Sequence, residues 1–192
     1  VGGSMKLARR IVFGLGLAFA SSLLAGSAIS AYDVPNETTQ DPLWSEEQWP
    51  FPIDQWGTGR AFRCTADQCG SEVRLYLRPK IGFCRCATGV SDDDEIDRVG
   101  DLELISADYK PLAPGHAVTA GIMTGRARLF SVERPFQSPT AILSIAMANK
   151  CDAIVATVVA KADVQSAQED QALNFLRGAA IQHWVESQTG SG

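Results

Sequence analysis

Six carboxylates crowd into a single short stretch: Asp92, Asp93, Asp94, Glu95, Asp97 and Asp101. Hard cations such as Ca²⁺ are held by several carboxylate oxygens on a flexible loop. The EF-hand register fails, however. Counting from Asp92, Asp94 and Glu103 fall on ligand positions, but Ile96 takes another and Asp97 stands where glycine is needed. What remains is a non-standard site for Ca²⁺ or another hard cation, built from Asp92, Asp93, Asp94, Glu95 and Asp97. The competing reading is a solvated acidic surface that aids solubility.

The second reactive grouping is Cys84-Arg85-Cys86. An arginine beside a thiol favours the thiolate and so a thiol-redox function. Thioredoxin-type motifs separate the cysteines by two residues in a βαβ setting, and neither condition is met. Cys64, Cys69, Cys84 and Cys86 together offer four thiolates to a soft metal such as copper(I), but their spacing matches no common zinc module. Only two histidines occur, His116 and His183. No Gly-x-Ser-x-Gly elbow and no phosphate-binding glycine fingerprint accompanies them. No catalytic residue is therefore assigned, and no cofactor beyond the hard cation.

Which sulfur chemistry applies depends on the compartment. Val1–Ser4 precedes Met5 and carries no pattern. Lys6, Arg9 and Arg10 then lead into an apolar stretch, Ile11–Leu24, followed by small residues through Ala31. Basic, apolar, small is the order of a signal peptide, with cleavage expected after Ala28 or Ala31. The alternative is an uncleaved anchor, for which the stretch is near the lower limit of about 17–25 residues. The expectation is a periplasmic or secreted protein that touches the membrane only through residues 1–31.

In an oxidising space cysteines pair. Five are present, Cys64, Cys69, Cys84, Cys86 and Cys151, so one is left over within the chain. Cys64 and Cys69 flank a loop short enough for a local bridge. Cys84 and Cys86, two apart on an extended strand, sit near the upper limit for a bridge. They are expected to pair elsewhere, with Cys64, Cys69 or Cys151.

The leader holds three of the 17 basic residues and none of the 22 acidic ones, which leaves 14 against 22, net −8. Such a balance repels phosphate backbones and argues against nucleic acid as a partner. A chain of this length suits one domain, expected over residues 60–188. Residues 32–59 read as an extended arm. Pro35, Pro42, Pro50 and Pro52 break regular structure, while Trp44, Trp49, Phe51 and Trp56 are too aromatic for a disordered linker. The arm either buries its rings against the domain or presents Trp44, Trp49 and Trp56 as a ligand platform.

The elements that must position these groups are legible as patterns. Val73, Leu75 and Leu77 alternate as one face of a strand that Pro79 should end. Ile81–Cys86 and Arg126–Val132 are strand-like, and Leu102–Ile105 is a short apolar run. Thr140–Ala148 and Ala153–Ala160 are apolar, β-branched runs joined by a tight loop, Asn149-Lys150-Cys151-Asp152. A helix should start at Ser166, with Glu169 completing a capping box. Leu173, Leu176, Ala180 and Trp184 carry it in helical spacing to about Ser187. The fold class is α+β: a mostly antiparallel sheet of five to seven strands with one long C-terminal helix packed on it, stabilised by disulfides.

Two paired apolar strands followed by a Trp-bearing helix, residues 140–187, resemble the last third of PsbP-type α/β/α sandwiches. That resemblance implies an exported or lumenal accessory protein without enzymatic activity. The stretch from Gly82-Phe83-Cys84-Arg85-Cys86 to Arg98 resembles short exported bacterial proteins to which no activity attaches. The leading expectation is a non-enzymatic exported accessory or ligand-binding protein. It would work through a surface or cleft between sheet and arm, with a protein or small molecule as partner. Cation binding through residues 92–101 and thiol-redox chemistry at Cys84 and Cys86 follow as alternatives.

Overall fold

Alternating sequence becomes a single sheet. The computed structural model describes residues 43–82, 87–136 and 138–189, all within one compact unit. Its strands are β1 (Ser45–Glu47), β2 (Arg60–Cys64), β3 (Val73–Lys80), β4 (Tyr109–Pro111), β5 (His116–Ala120), β6 (Met123–Val132), β7 (Thr140–Asn149) and β8 (Asp152–Ala160). They lie in the order β1-β2-β3-β8-β7-β6-β4, with β5 also on β6, and every pairing is antiparallel. The α+β class and the antiparallel sheet expected from the pattern are therefore observed. The strands beyond the expected number are the short ones, β1, β4 and β5, whose three to five residues give a period-two signal little to work on.

Pro79 does not end β3, which runs on to Lys80. It pairs across with Ile154 in β8. The β7–β8 hairpin closes as expected on Lys150-Cys151, with Asn149 opposite Asp152 and Lys150 at φ 58°. Of the stretch 81–86, Ile81 and Gly82 form a turn and the rest lies outside the described residues. Leu102–Leu104 is a 3-10 helix.

The C-terminal helix is shorter than its periodicity implies. It is two helices, α3 (Ser166–Arg177) and α4 (Ala179–Thr189), separated by Gly178 in an extended conformation (φ −60°, ψ 141°). The hydrophobic spacing continues across the break because both helices bury one stripe: Ala172, Leu173, Phe175 and Leu176, then Ile181 and Val185. The helix starts at Ser166 as expected, but its cap is a different pair. Gln165 and Gln168 form the reciprocal cap, which leaves Glu169 to pair with His116 on β5. Two further helices precede these in the chain, α1 (Ala66–Cys69) and α2 (Asp93–Val99). No helix among the described residues is long and apolar enough to cross a membrane.

Strand alternation divides the sheet into two unlike faces. On the first, Phe62 and Cys64 (β2), Val73, Leu75 and Leu77 (β3), Ile154, Ala156 and Val158 (β8), and Leu143, Ile145 and Met147 (β7) join the helical stripe in one buried apolar cluster. On the second, the intervening residues of the same strands are Arg74, Tyr76, Arg78 and Lys80 (β3), Thr157 (β8), Ser144 (β7), and Arg126 and Arg128 (β6). Two small apolar clusters flank this polar strip, under α2 and under the 3-10 helix.

Candidate functional site

The basic side chains that β3 (Arg78, Lys80) and β6 (Arg126, Arg128) turn to one covered sheet face would be unstable there without counter-ions. The acidic run supplies them. Asp92 is the N-cap of α2, its carboxylate accepting from the Glu95 backbone N–H at 2.8 Å. One turn of helix brings Asp93 over Arg126 (Nε–Oδ1 2.9 Å) and Asp97 over Arg128 (2.8 Å). Glu95 is buried and pairs with Arg98, and Asp94 faces solvent. Asp93 also accepts the Gly115 backbone N–H at 3.1 Å. That bond, then the Arg126 guanidinium, holds its carboxyl below the ordinary 3.8.

Just beyond α2, Asp101 is buried beneath the sheet face with two cations. Arg78 binds it in a bidentate fork (Nε–Oδ2 2.9 Å), and Lys80 Nζ lies 2.8 Å from Oδ1. Lys80 also donates to the Val99 carbonyl at 2.7 Å. Arg78 reaches Asp54 of the arm at 2.7 Å. Burial opposes the charge on Arg78, but its bonds to Asp101 and Asp54 outweigh that and raise its pKa. The carboxylates read as a hard-cation site are thus directed at arginines, at solvent, or at a helix N-terminus. Among the described residues no group of three or more His, Cys, Asp or Glu could hold a metal ion.

The arm binds both faces and so does not form one aromatic platform. Trp44 is buried on the helical side, its ring 5.2 Å from that of Phe175. Past β1 the chain crosses the sheet edge. Trp49 then stands edge-on to Tyr76 at 6.2 Å and to Phe51 at 5.2 Å on the charged side. It fits because Gly59 has no side chain: a Cβ there would lie 2.6 Å from the indole. Trp56 lies 5.5 Å from Lys80 Nζ. Trp49 and Trp56 share a face; Trp44 does not.

Between this arm and the sheet lies a cleft of about 600 Å³. Pro50 and Phe51 form its arm side, Tyr76 and Val159 its floor, Leu104 and Ile105 the opposite wall. Phe51 and Tyr76 rings meet at 4.8 Å. Burial raises the Tyr76 phenol's pKa, against the opposing charges of Arg74 and Arg134. The rim carries Arg74, Arg134, Lys161 and Glu72. Nothing in the sequence marked Arg134 or Lys161, which lie in connections. Arg74, Arg78, Arg126 and Arg128 did have a signal: polar residues in the off-phase of apolar alternation, on strands whose other face is core.

The sulfurs are partly placed. Cys64 and Cys69 form a disulfide (Cα–Cα 6.0 Å) that clamps α1 to the end of β2, the local bridge their spacing suggested. Both sulfurs are thereby used, which removes the four-thiolate metal site from Cys64, Cys69, Cys84 and Cys86. Cys151 is also disulfide-bonded. Cys84 and Cys86, and with them the redox pair, lie outside the described residues. His116 lies on β5 and His183 is exposed on α4.

No family model and no curated protein matches this chain. The sheet and its helices define an α+β protein, and its concavity of aromatic and basic residues is the cleft beside the arm.

Proposed function

We propose that the chain is an exported, non-catalytic ligand-binding protein, and that the ligand occupies the cleft between the sheet and the aromatic arm. The observation that carries this reading is the cleft's construction. Its volume, about 600 Å³, lies in the range of roughly 300–1,000 Å³ typical of small-molecule sites. Its floor and walls are aromatic and aliphatic, its rim is polar, and the arm that walls it is anchored at Trp44 and Trp49 on the two faces of the sheet. A disulfide between Cys64 and Cys69 suits an oxidising compartment, in keeping with the leader-like residues 1–31.

The test is native mass spectrometry of the protein purified without unfolding, beside a Val159→Trp variant whose indole fills the floor. A small molecule retained by the parent and absent from the variant supports the reading. Equal retention by both places the ligand elsewhere and overturns it. So does a parent protein that carries nothing and shows no rise in thermal midpoint with any member of an extracellular metabolite panel.

A further inference from the structure

We infer that the cleft selects an anionic ligand: a carboxylate or phosphate group on a small apolar or aromatic body. The inference rests on the cleft reading above and adds the chemical class. Its basis is a local charge imbalance opposite in sign to that of the chain. The whole sequence has a formal net charge of −5, yet the residues lining this cleft include three cations, Arg74, Arg134 and Lys161, and one anion, Glu72.

That anion is already held. Glu72 binds Arg63 at 2.8 Å and Arg74 at 3.1 Å, and the Arg63 bond lowers its pKa below the ordinary 4.5. Arg74 is further bound by Glu47 at 3.2 Å. Arg134 and Lys161 have no ion pair among the described residues. The Nε–H of Arg134 is buried and makes no hydrogen bond among the described residues. A buried guanidinium donor without an acceptor is costly, and an arginine fork is shaped for the two oxygens of a carboxylate or phosphate. Beneath it Tyr76 offers a phenolic O–H, and Phe51 and Pro50 offer a flat apolar wall.

The second cleft on this face is the internal control. It measures about 410 Å³ and is lined by Arg78, Lys80, Arg98, Asp54, Asp97 and Asp101 among others. Its cations are matched by those carboxylates and by Glu95. Only the first cleft carries positive charge that the described residues leave unbalanced, and low-dielectric walls focus such a field on an incoming anion.

Calorimetric titration of the protein with phenyl phosphate, benzoate, benzyl alcohol and benzylamine tests this, with Arg134→Gln and Lys161→Gln variants checked for unchanged thermal midpoints. The expected result is binding of phenyl phosphate or benzoate, weakened by added salt and weakened about 10- to 100-fold in Arg134→Gln, the worth of one charged hydrogen bond. Benzylamine should not bind. Anion binding unchanged in both variants, or benzyl alcohol or benzylamine bound as well as the anions, overturns the anionic class. In the latter case, loss of that binding in Val159→Trp would leave the cleft reading standing. If no probe binds and no ligand copurifies, both fall together.

Discussion

The two faces of one sheet are stabilised by different physics. Under α3 and α4, alternate residues of β3, β8 and β7 meet a helical stripe, and the whole layer is apolar. On the α2 side, β3 and β6 bring arginines and a lysine against aspartates, while β7 and β8 add a small apolar patch under α2. Burying apolar area stabilises each side chain independently, by about 25 cal/mol per Å². Burying an ion cluster yields little net stability, because desolvation offsets the attraction, but it makes every member dependent on the others. The charged face is therefore the less forgiving one. It is also the face that carries the cleft, where the same row of β3 passes from the paired Arg78 to Tyr76 and Arg74.

The sharpest way to break this contrast is Asp101→Ala. It strands Arg78 and Lys80 beneath the sheet, and urea unfolding should show a loss of about 3–5 kcal/mol. Leu176→Ala on the apolar face should cost about 2–5 kcal/mol by leaving a cavity, at or below the Asp101 value. If Asp101→Ala costs under about 1 kcal/mol, the charged layer is not a cooperative unit.

Acid should act on the charged face first. Asp93, Asp54 and Glu72 on this face, and Glu46 at the sheet edge on the helical side, have pKa values below their ordinary 3.8 or 4.5. For Asp93 the causes are the Gly115 N–H and then Arg126; for Asp54, burial opposes the shift but the Arg78 bond and the Trp56 N–H outweigh it; for Glu46 and Glu72 the first cause is an arginine bond. A carboxyl lowered by folding takes up protons more readily when unfolded, so its stabilisation is complete above the unfolded value and disappears as pH falls through the folded one. The urea midpoint should be flat above about pH 5 and fall below about pH 4. In Asp93→Asn part of that acid dependence should vanish; an unchanged profile would count against the Asp93–Arg126 contact.

The smallest effect should come from the largest change. Arg78→Met, Lys80→Met and Asp101→Leu together replace the buried cluster with apolar side chains. Such exchanges are commonly neutral or stabilising by about 1–4 kcal/mol. Stability close to the parent's, beside a damaged Asp101→Ala, would show that the ions are retained for something other than stability. A triple variant as damaged as Asp101→Ala would contradict that.

The apolar half of the fold could be read directly. Val73, Leu75 and Leu77, the Ile- and Val-rich runs of β7 and β8, and the stripe from Leu173 to Val185 repeat with the period of their own backbone, and periodicity is a local property. The Cys64–Cys69 bridge was legible for the same reason: five positions apart, the two are neighbours whatever the rest of the chain does. Even here locality had limits. Gly178 interrupts the helix without interrupting the spacing, and Gln165 rather than Ser166 caps it.

The charged half was visible as an acidic run and as off-phase basic residues on strands, but not as pairs. The run from Asp92 to Asp101 announced its acidity but not its partners, because Arg78, Arg126 and Arg128 lie on strands 23 to 33 positions away or more distant in the sheet than any window spans. The sequence by itself determined which strand faces would be apolar, where the last hairpin turns and that Cys64 could reach Cys69. Only the tertiary structure decided that the carboxylates answer arginines, that Trp44 and Trp49 lie on opposite sides, and that Arg134 and Lys161 meet at one cleft. Periodicity and short loops are fixed by neighbours along the chain, whereas ion pairing and concavity arise when distant segments are folded onto each other.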